Sequence, residues 1–238
     1  MRTIKINNNP GSRRDAGDAV LDAAASVDTK PIAKRLSAFT KDHKAFITAD
    51  DQAKAATDKL DKALAVIGQK DATLDKCVDE VASAAAGSGL PRANPFKPLG
   101  HPSPSDLKAT PQEKEPEAVR KLTADLRKHP GATKQLLDSC TKAEKAASEV
   151  DAAFKPIESL EKAQAAAITR RNVVARSWEK SLAALKNGAR AADDEGDFGL
   201  FEALFQATAK PKKSKPVAAK KSRKKGPKDP PEDPTKNK

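Results

Sequence analysis

Every seventh residue from Ile32 to Val81 is apolar: Ile32, Phe39, Phe46, Ala53, Leu60, Ile67, Leu74 and Val81. A spacing of seven returns to nearly the same side of an α-helix after two turns. An uninterrupted row of this length therefore demands one long helix with a single apolar edge. A second row lies three residues on, at Ala49, Ala56, Ala63, Cys77 and Ala84, with Lys70 as its exception and Arg35 and Asp42 weakening its start. A helix over about residues 31–86 measures roughly 80 Å at 1.5 Å per residue. Gly68 is a candidate bend. Such a helix needs a partner along most of its length, because an amphipathic edge is stable only when covered.

The partner is supplied by the second half of the chain. "AAAGSGLPRANPFKPLGHPSPSDLKATPQEKEP" carries repeated Gly and Pro and cannot prolong the helix. It reads as a connector over 87–115, with a single turn near Thr110 and a third helix starting at Pro116, whose apolar face is Val119, Leu122 and Leu126. Phe96 in "NPFKP" and Ser103 in "HPSPS" offer a docking or phosphate-accepting element; an ordinary connector is the plainer reading. "HPG" at His129–Gly131 breaks the pattern, and a second arm follows over about 132–186. Leu136, Cys140, Ala143, Ala147, Val150, Phe154 and Ile157 form its stripe. Pro156 bends it, Leu160, Ala167, Val174, Trp178 and Leu185 continue it, and Asn187–Gly188 stops it. Near the start, Ser12 and Asp15 form a capping-box pattern before Ala19, Val20, Ala23, Ala24 and Val27. The expected fold is all-α: an elongated antiparallel helical hairpin or bundle over residues 1–190. A dimer whose arms pair between chains is the alternative.

Composition agrees. Hydrophobic residues are 37% and aromatic ones 3% of the chain, Tyr is absent, and no β-branched run alternates beyond "RTIKIN". Cys77 and Cys140 stand alone in helical stretches without metal-type spacing and read as reduced, small apolar residues. "MRTIKINNNP" lacks the apolar stretch of a secretory signal, and no membrane-length apolar run is present, so no membrane span is expected.

Charge is divided unevenly. The net is +12, yet residues 210–238 hold twelve of the 45 Lys and Arg and three of the 33 Asp and Glu. The tail thus carries +9 and the rest of the chain +3. Between Lys210 and Lys225 there are nine basic residues and no acidic one. Lys210, Lys212, Lys213, Lys215, Lys220, Lys221, Arg223, Lys224, Lys225 and Lys228 are the candidate nucleic-acid-binding residues. Each can displace a counterion from a phosphate without reading a base. The segment is too polar to order itself, and 210–238 is expected to be a disordered tail. In composition, residues 210–228 resemble the Lys/Ala/Pro tails of linker histones and bacterial histone-like proteins. That resemblance implies sequence-independent phosphate binding. "KKSRKK" also suits nuclear import in a eukaryote.

Residues 191–209 combine an acidic linker, "ADDEGD", with a Phe-rich helix, "FGLFEALFQA". Phe198, Phe201, Leu204 and Phe205 are candidates for partner binding if this helix docks on another protein; the other reading is a lid on the bundle. Arg13 and Arg14, and Arg170, Arg171 and Arg176 beside Trp178, either extend a basic track or rim the bundle seam with Trp178 in the core.

No catalytic signature appears: no phosphate-binding Gly-rich loop, no nucleophile elbow, no H-E-x-x-H. "DFG" at Asp197–Gly199 lacks the loops that give it meaning in kinases. His43, His101 and His129 are far apart in sequence, and Asp125 with His129 reads as an exposed i,i+4 pair. No cofactor, metal or catalytic residue is expected. The expectation is a non-enzymatic architectural protein, cytoplasmic or nucleoid (nuclear in a eukaryote), whose tail binds nucleic acid. The alternative is a scaffold or assembly protein acting through its helical seam or Phe segment. Its layout is similar to that of the granule-coating phasins.

Overall fold

The computed structural model describes residues 9–196 and 199–206. Among them every regular element is helical. α1 (Pro10–Ala24) leads through a 3₁₀ turn at Lys30–Ile32 into α2 (Ala33–Gly87). A further 3₁₀ turn at Lys97–Leu99 precedes α3 (Pro104–Lys108) and α4 (Glu115–Leu126). α5 (Lys134–Phe154) and α6 (Ile157–Asp194) form the second arm, and α7 (Leu200–Phe205) follows it.

The heptad row is the spine. Ile32, Phe39, Phe46 and Leu74 are fully buried, and Ala53, Leu60, Ile67 and Val81 nearly so. α5 and α6 pack on this edge in antiparallel order with a constant register. The numbers of facing residues add to 221 in His43–Trp178, Asp50–Arg171, Thr57–Gln164 and Ser88–Thr133. Pro156 therefore interrupts the arm without shifting it. The break is confined to Lys155 and Pro156, and Leu160 N already donates to Pro156 O at 3.0 Å. Gly68 does not end α2, which runs through it unbroken.

Two apolar cores sit at the two ends. One, here the head, joins α1, the start of α2, the end of α6 and α7 around Phe39, Phe46, Trp178 and Leu185. The other, the foot, joins the end of α2 to α3, α4 and α5 around Leu74, Val81, Phe96, Leu122 and Leu136. The middle is two helices thick: from 151 to 174 no residue of the second arm is buried.

Several local expectations are corrected. α1 starts before Ser12: Pro10 occupies the first turn and Asn9 Oδ1 accepts from Gly11 N at 2.9 Å. The turn expected near Thr110 is present, with Lys114 N and Glu115 N donating to Pro111 O at 2.7 and 3.1 Å, and a short helix not expected, α3, precedes it, where Ser103 Oγ accepts from Asp106 N at 3.2 Å. Phe96 is buried in the foot and is no docking residue of a loose connector. α6 passes Asn187–Gly188 and continues to Asp194. A Cβ on Gly188 would meet the outer end of the exposed Arg35 side chain. Asp125 pairs with His101 at 3.0 Å and with Lys128 rather than with His129, which lies in the turn beyond α4.

Candidate functional site

The densest polar arrangement is in the head, where α1 crosses the α2–α6 pair. His43 is 1% exposed and bonded at both ring nitrogens. Trp178 Nε1 donates to His43 Nδ1 at 3.0 Å, and Nε2 lies 2.9 Å from Asp18 Oδ1. An indole nitrogen can only donate, so Nδ1 is the acceptor and Nε2 carries the proton toward Asp18. Phe39 stacks on the imidazole with centroids 5.8 Å apart. Gly17 makes room for it, since a Cβ there would overlap the ring.

One heptad further along α2, Asp50 is fully buried. Lys54 Nζ lies 2.7 Å from Oδ2, and Arg14 and Arg171 each approach to 3.6 Å. Arg14 also pairs with Asp51 and donates to Ile47 O at 3.4 Å. Arg13 pairs with Glu179. A buried carboxylate is tolerable only among compensating cations, and here they come from three helices. The basic clusters at 13–14 and at Arg171 are thus held by carboxylates, and Trp178 fills the core.

A second polar cluster lies in the foot. Glu115, at the start of α4, is 1% exposed and faces Asp71 and Asp75 of α2. Burial, then hydrogen bonding and repulsion from the two aspartates, push its carboxyl up to about 8. Burial and Asp71 also raise Asp75. Gln112 donates to Asp71 at 2.7 Å, and Lys108 bonds Asp79. Three acids so close cannot all ionise, and a proton held by Glu115 relieves them.

α7 closes the head. Leu200 N and Phe201 N donate to the Asp193 carboxylate at 2.8 and 2.9 Å, so the acidic linker caps the helix. Gly199 turns the chain into it at φ 95°, a conformation glycine adopts without strain. Leu204 and Phe205 are buried against α1 and α6. Phe201 is half-buried under the Arg190 guanidinium, 4.5 Å above the ring. Leu204 and Phe205 thus belong to the chain's own core and are unavailable to a partner unless α7 detaches. Phe198 and all ten basic candidates from Lys210 to Lys228 lie outside the described residues.

Both nitrogens of His43 are occupied within the chain. Burial raises Cys77 and pushes Cys140 up to about 11, which leaves both thiols protonated and unreactive at neutral pH. Among the described residues no group of His, Cys, Asp and Glu is placed to hold a metal ion. No described helix is long and apolar enough to cross a membrane. A groove of about 910 Å³ between α2 and α5 is lined by alternating charges, including Lys76, Asp79, Lys134 and Asp138. Comparison of the chain with family models, with curated proteins and with solved structures finds no match.

Asp50, Glu115 and Gly17 were not singled out from the sequence, and His43 was named there only as one of three histidines far apart. A signal existed for His43 and Asp50: they extend the row Leu36, His43, Asp50, Thr57, Leu64, Asp71, Val78, Ala85, four residues after the main one.

Proposed function

We propose that this is a non-enzymatic architectural protein. Its helical body positions a cationic tail that grips nucleic-acid phosphates without sequence preference. The observation that carries the reading is the separation of charge: nine basic residues and no acidic one between Lys210 and Lys225, against a net +3 before residue 210. Five of the body's arginines support it indirectly. Arg13, Arg14, Arg120, Arg127 and Arg171 all have carboxylate partners within the chain. The rest of the chain is close to balanced in sequence, 33 basic against 30 acidic residues, so the net positive charge is concentrated after residue 209. Phosphate contacts supply affinity and no base information, so binding is tolerant of sequence and weakened by salt.

The test is charge removal in the full chain. Replacing the nine Lys and Arg of 210–225 by Gln abolishes binding to a mixed-sequence duplex at low salt while leaving the helical signal unchanged. Equal binding by both proteins removes the reading. On this reading the protein works with nucleic acid in the cytoplasm or nucleoid, or in a nucleus. A scaffold role is the second reading, favoured by the exposure of Leu64, Val66 and Val173 on the body.

A further inference from the structure

Asp71, Asp75 and Asp79 form one stripe of α2, four residues apart. The chain between α3 and α4 returns along this stripe and meets the acids with different groups. Lys108 Nζ lies 2.8 Å from Asp79 Oδ1, and Gln112 Nε2 donates to Asp71 Oδ2 at 2.7 Å. Glu115 comes within hydrogen-bond reach of both Asp71 and Asp75. It is 1% exposed, and the two aspartates are half-buried. One oxygen of each, Glu115 Oε1, Asp71 Oδ1 and Asp75 Oδ1, is shut off from water and receives no N–H or hydroxyl from the described residues. Two carboxylates cannot hydrogen-bond each other, whereas a carboxyl and a carboxylate can, through the one proton between them. That proton is the missing donor. Neighbouring charges do not replace it. α3 supplies Lys108, whose Nζ is on Asp79. α5 has Asp151 on Arg120, Glu144 on Arg127 and Glu149 on Lys70 of α2. On α4 itself Glu117 pairs with Lys121, and His101 bonds Asp125 at the helix's far end.

We propose that residues 109–118 form a proton-operated clasp on α2, closed while Glu115 carries a proton and open once it ionises. Ionisation sets three negative charges within hydrogen-bond reach of one another in a place closed to water. Relief comes by turning the start of α4 outward, because residues 111–114 are exposed already and the helix begins without a side-chain cap. Val119, Leu122 and Leu126 stay in the foot core, so the opening is local. The lost proton passes to water and no covalent bond changes. Burial and the two aspartates hold the carboxyl up to about 8, which sets the clasp to open in mildly alkaline solution. The tail takes no part in it, so the clasp stands apart from the nucleic-acid reading.

The test is amide hydrogen exchange of the full chain at pH 6 and pH 9, expressed as protection so that the intrinsic effect of pH is removed. The bonded amides of Lys114, Glu115 and Ala118 lose protection at least about tenfold at pH 9. Those of α7 and of the α1 face beneath it, which share no core with the foot, keep theirs. Glu115→Gln, whose amide offers an N–H at either pH, shows no loss. Asp75→Asn, which leaves Glu115 one opponent instead of two, shows a smaller loss than wild type. Unchanged protection in wild type overturns the proposal, as does an equal loss in the head, which makes the effect global. So does a loss in Glu115→Gln equal to that of wild type, which assigns it to another group such as His101.

Discussion

Trp178 Nε1 donates to His43 Nδ1 across 3.0 Å, and both side chains are almost wholly withdrawn from water. The bond ties the two arms of the hairpin at the head, and the indole is the donor that the buried Nδ1 has in the folded chain. Trp178→Phe therefore leaves a buried lone pair unpaired, at a cost of about 1–3 kcal/mol beyond the change in packing. Urea unfolding of Trp178→Phe and of the double variant with His43→Leu separates the two contributions. The double variant is the more stable of the two, since an apolar pair leaves no orphan.

Gly17 and Gly68 predict opposite signs for the same substitution. Mid-helix Gly→Ala ordinarily stabilises by about 1 kcal/mol. A Cβ on Gly68 meets nothing within 4 Å, so Gly68→Ala raises the melting temperature by about 2–4 °C. A Cβ on Gly17 overlaps the His43 ring, and overpacking of about 1–3 kcal/mol outweighs the helix gain. In a His43→Ala background the Gly17→Ala penalty vanishes, a coupling that a double-mutant cycle reads directly.

Glu115 makes stability depend on pH in the neutral range. Its carboxyl keeps a proton up to about 8 when folded but loses it near its ordinary value of 4.5 when unfolded. Between those values the native state binds more protons than the unfolded one, so stability falls as pH rises and levels off above about 8. The slope is at most about 1.4 kcal/mol per pH unit, lowered by residual solvent screening. Asp75 is shifted the same way. Glu117, Glu144 and Glu149, lowered by Lys121, Arg127 and Lys70, act only in more acid solution, where their contribution is lost as pH falls. Denaturation midpoints at pH 5 and pH 8 differ in wild type, and Glu115→Gln flattens the difference.

The lid predicts a local response. Leu204 is 1% exposed, so Leu204→Asp releases α7 and speeds amide exchange in residues 199–206 and on the covered face of α1. Exchange in α4 and α5, which share no core with the lid, stays unchanged. Phe201→Asp has a smaller effect, because Phe201 is half-buried and the new carboxylate lies beside Arg190.

Much of the hairpin was legible because one strong periodicity governs it. Phe39, Phe46, Leu60, Ile67 and Leu74 sit at seven-residue intervals, and burial follows that interval without a lapse. The covering layer was less legible. His43, Asp50 and Asp71 are polar, so the row beside the main seam reads as solvent-facing until Asp18 and Arg14 of α1, Trp178 and Arg171 of α6, and Gln112 and Glu115 at the start of α4 are brought against it. Those partners are distant in sequence, and no local pattern announces them. Gly188 misled for a different reason: an Asn-Gly pair favours a helix end, whereas here Leu185, Ala189 and Ala192 on either side are buried in the head and carry α6 through it. Phe96, read as part of an open Pro-rich connector, is a core residue because the connector folds back over α2 and α4.

The most direct measurement is the salt dependence of duplex binding by the full chain and by a chain ending at Ala209. If the nine cations of residues 210–225 each displace a counterion, log affinity of the full chain falls against log salt with a slope near −8, about 0.9 per contact, and the shortened chain does not bind. A slope near zero, or equal binding by the shortened chain, contradicts the assignment of phosphate binding to the tail.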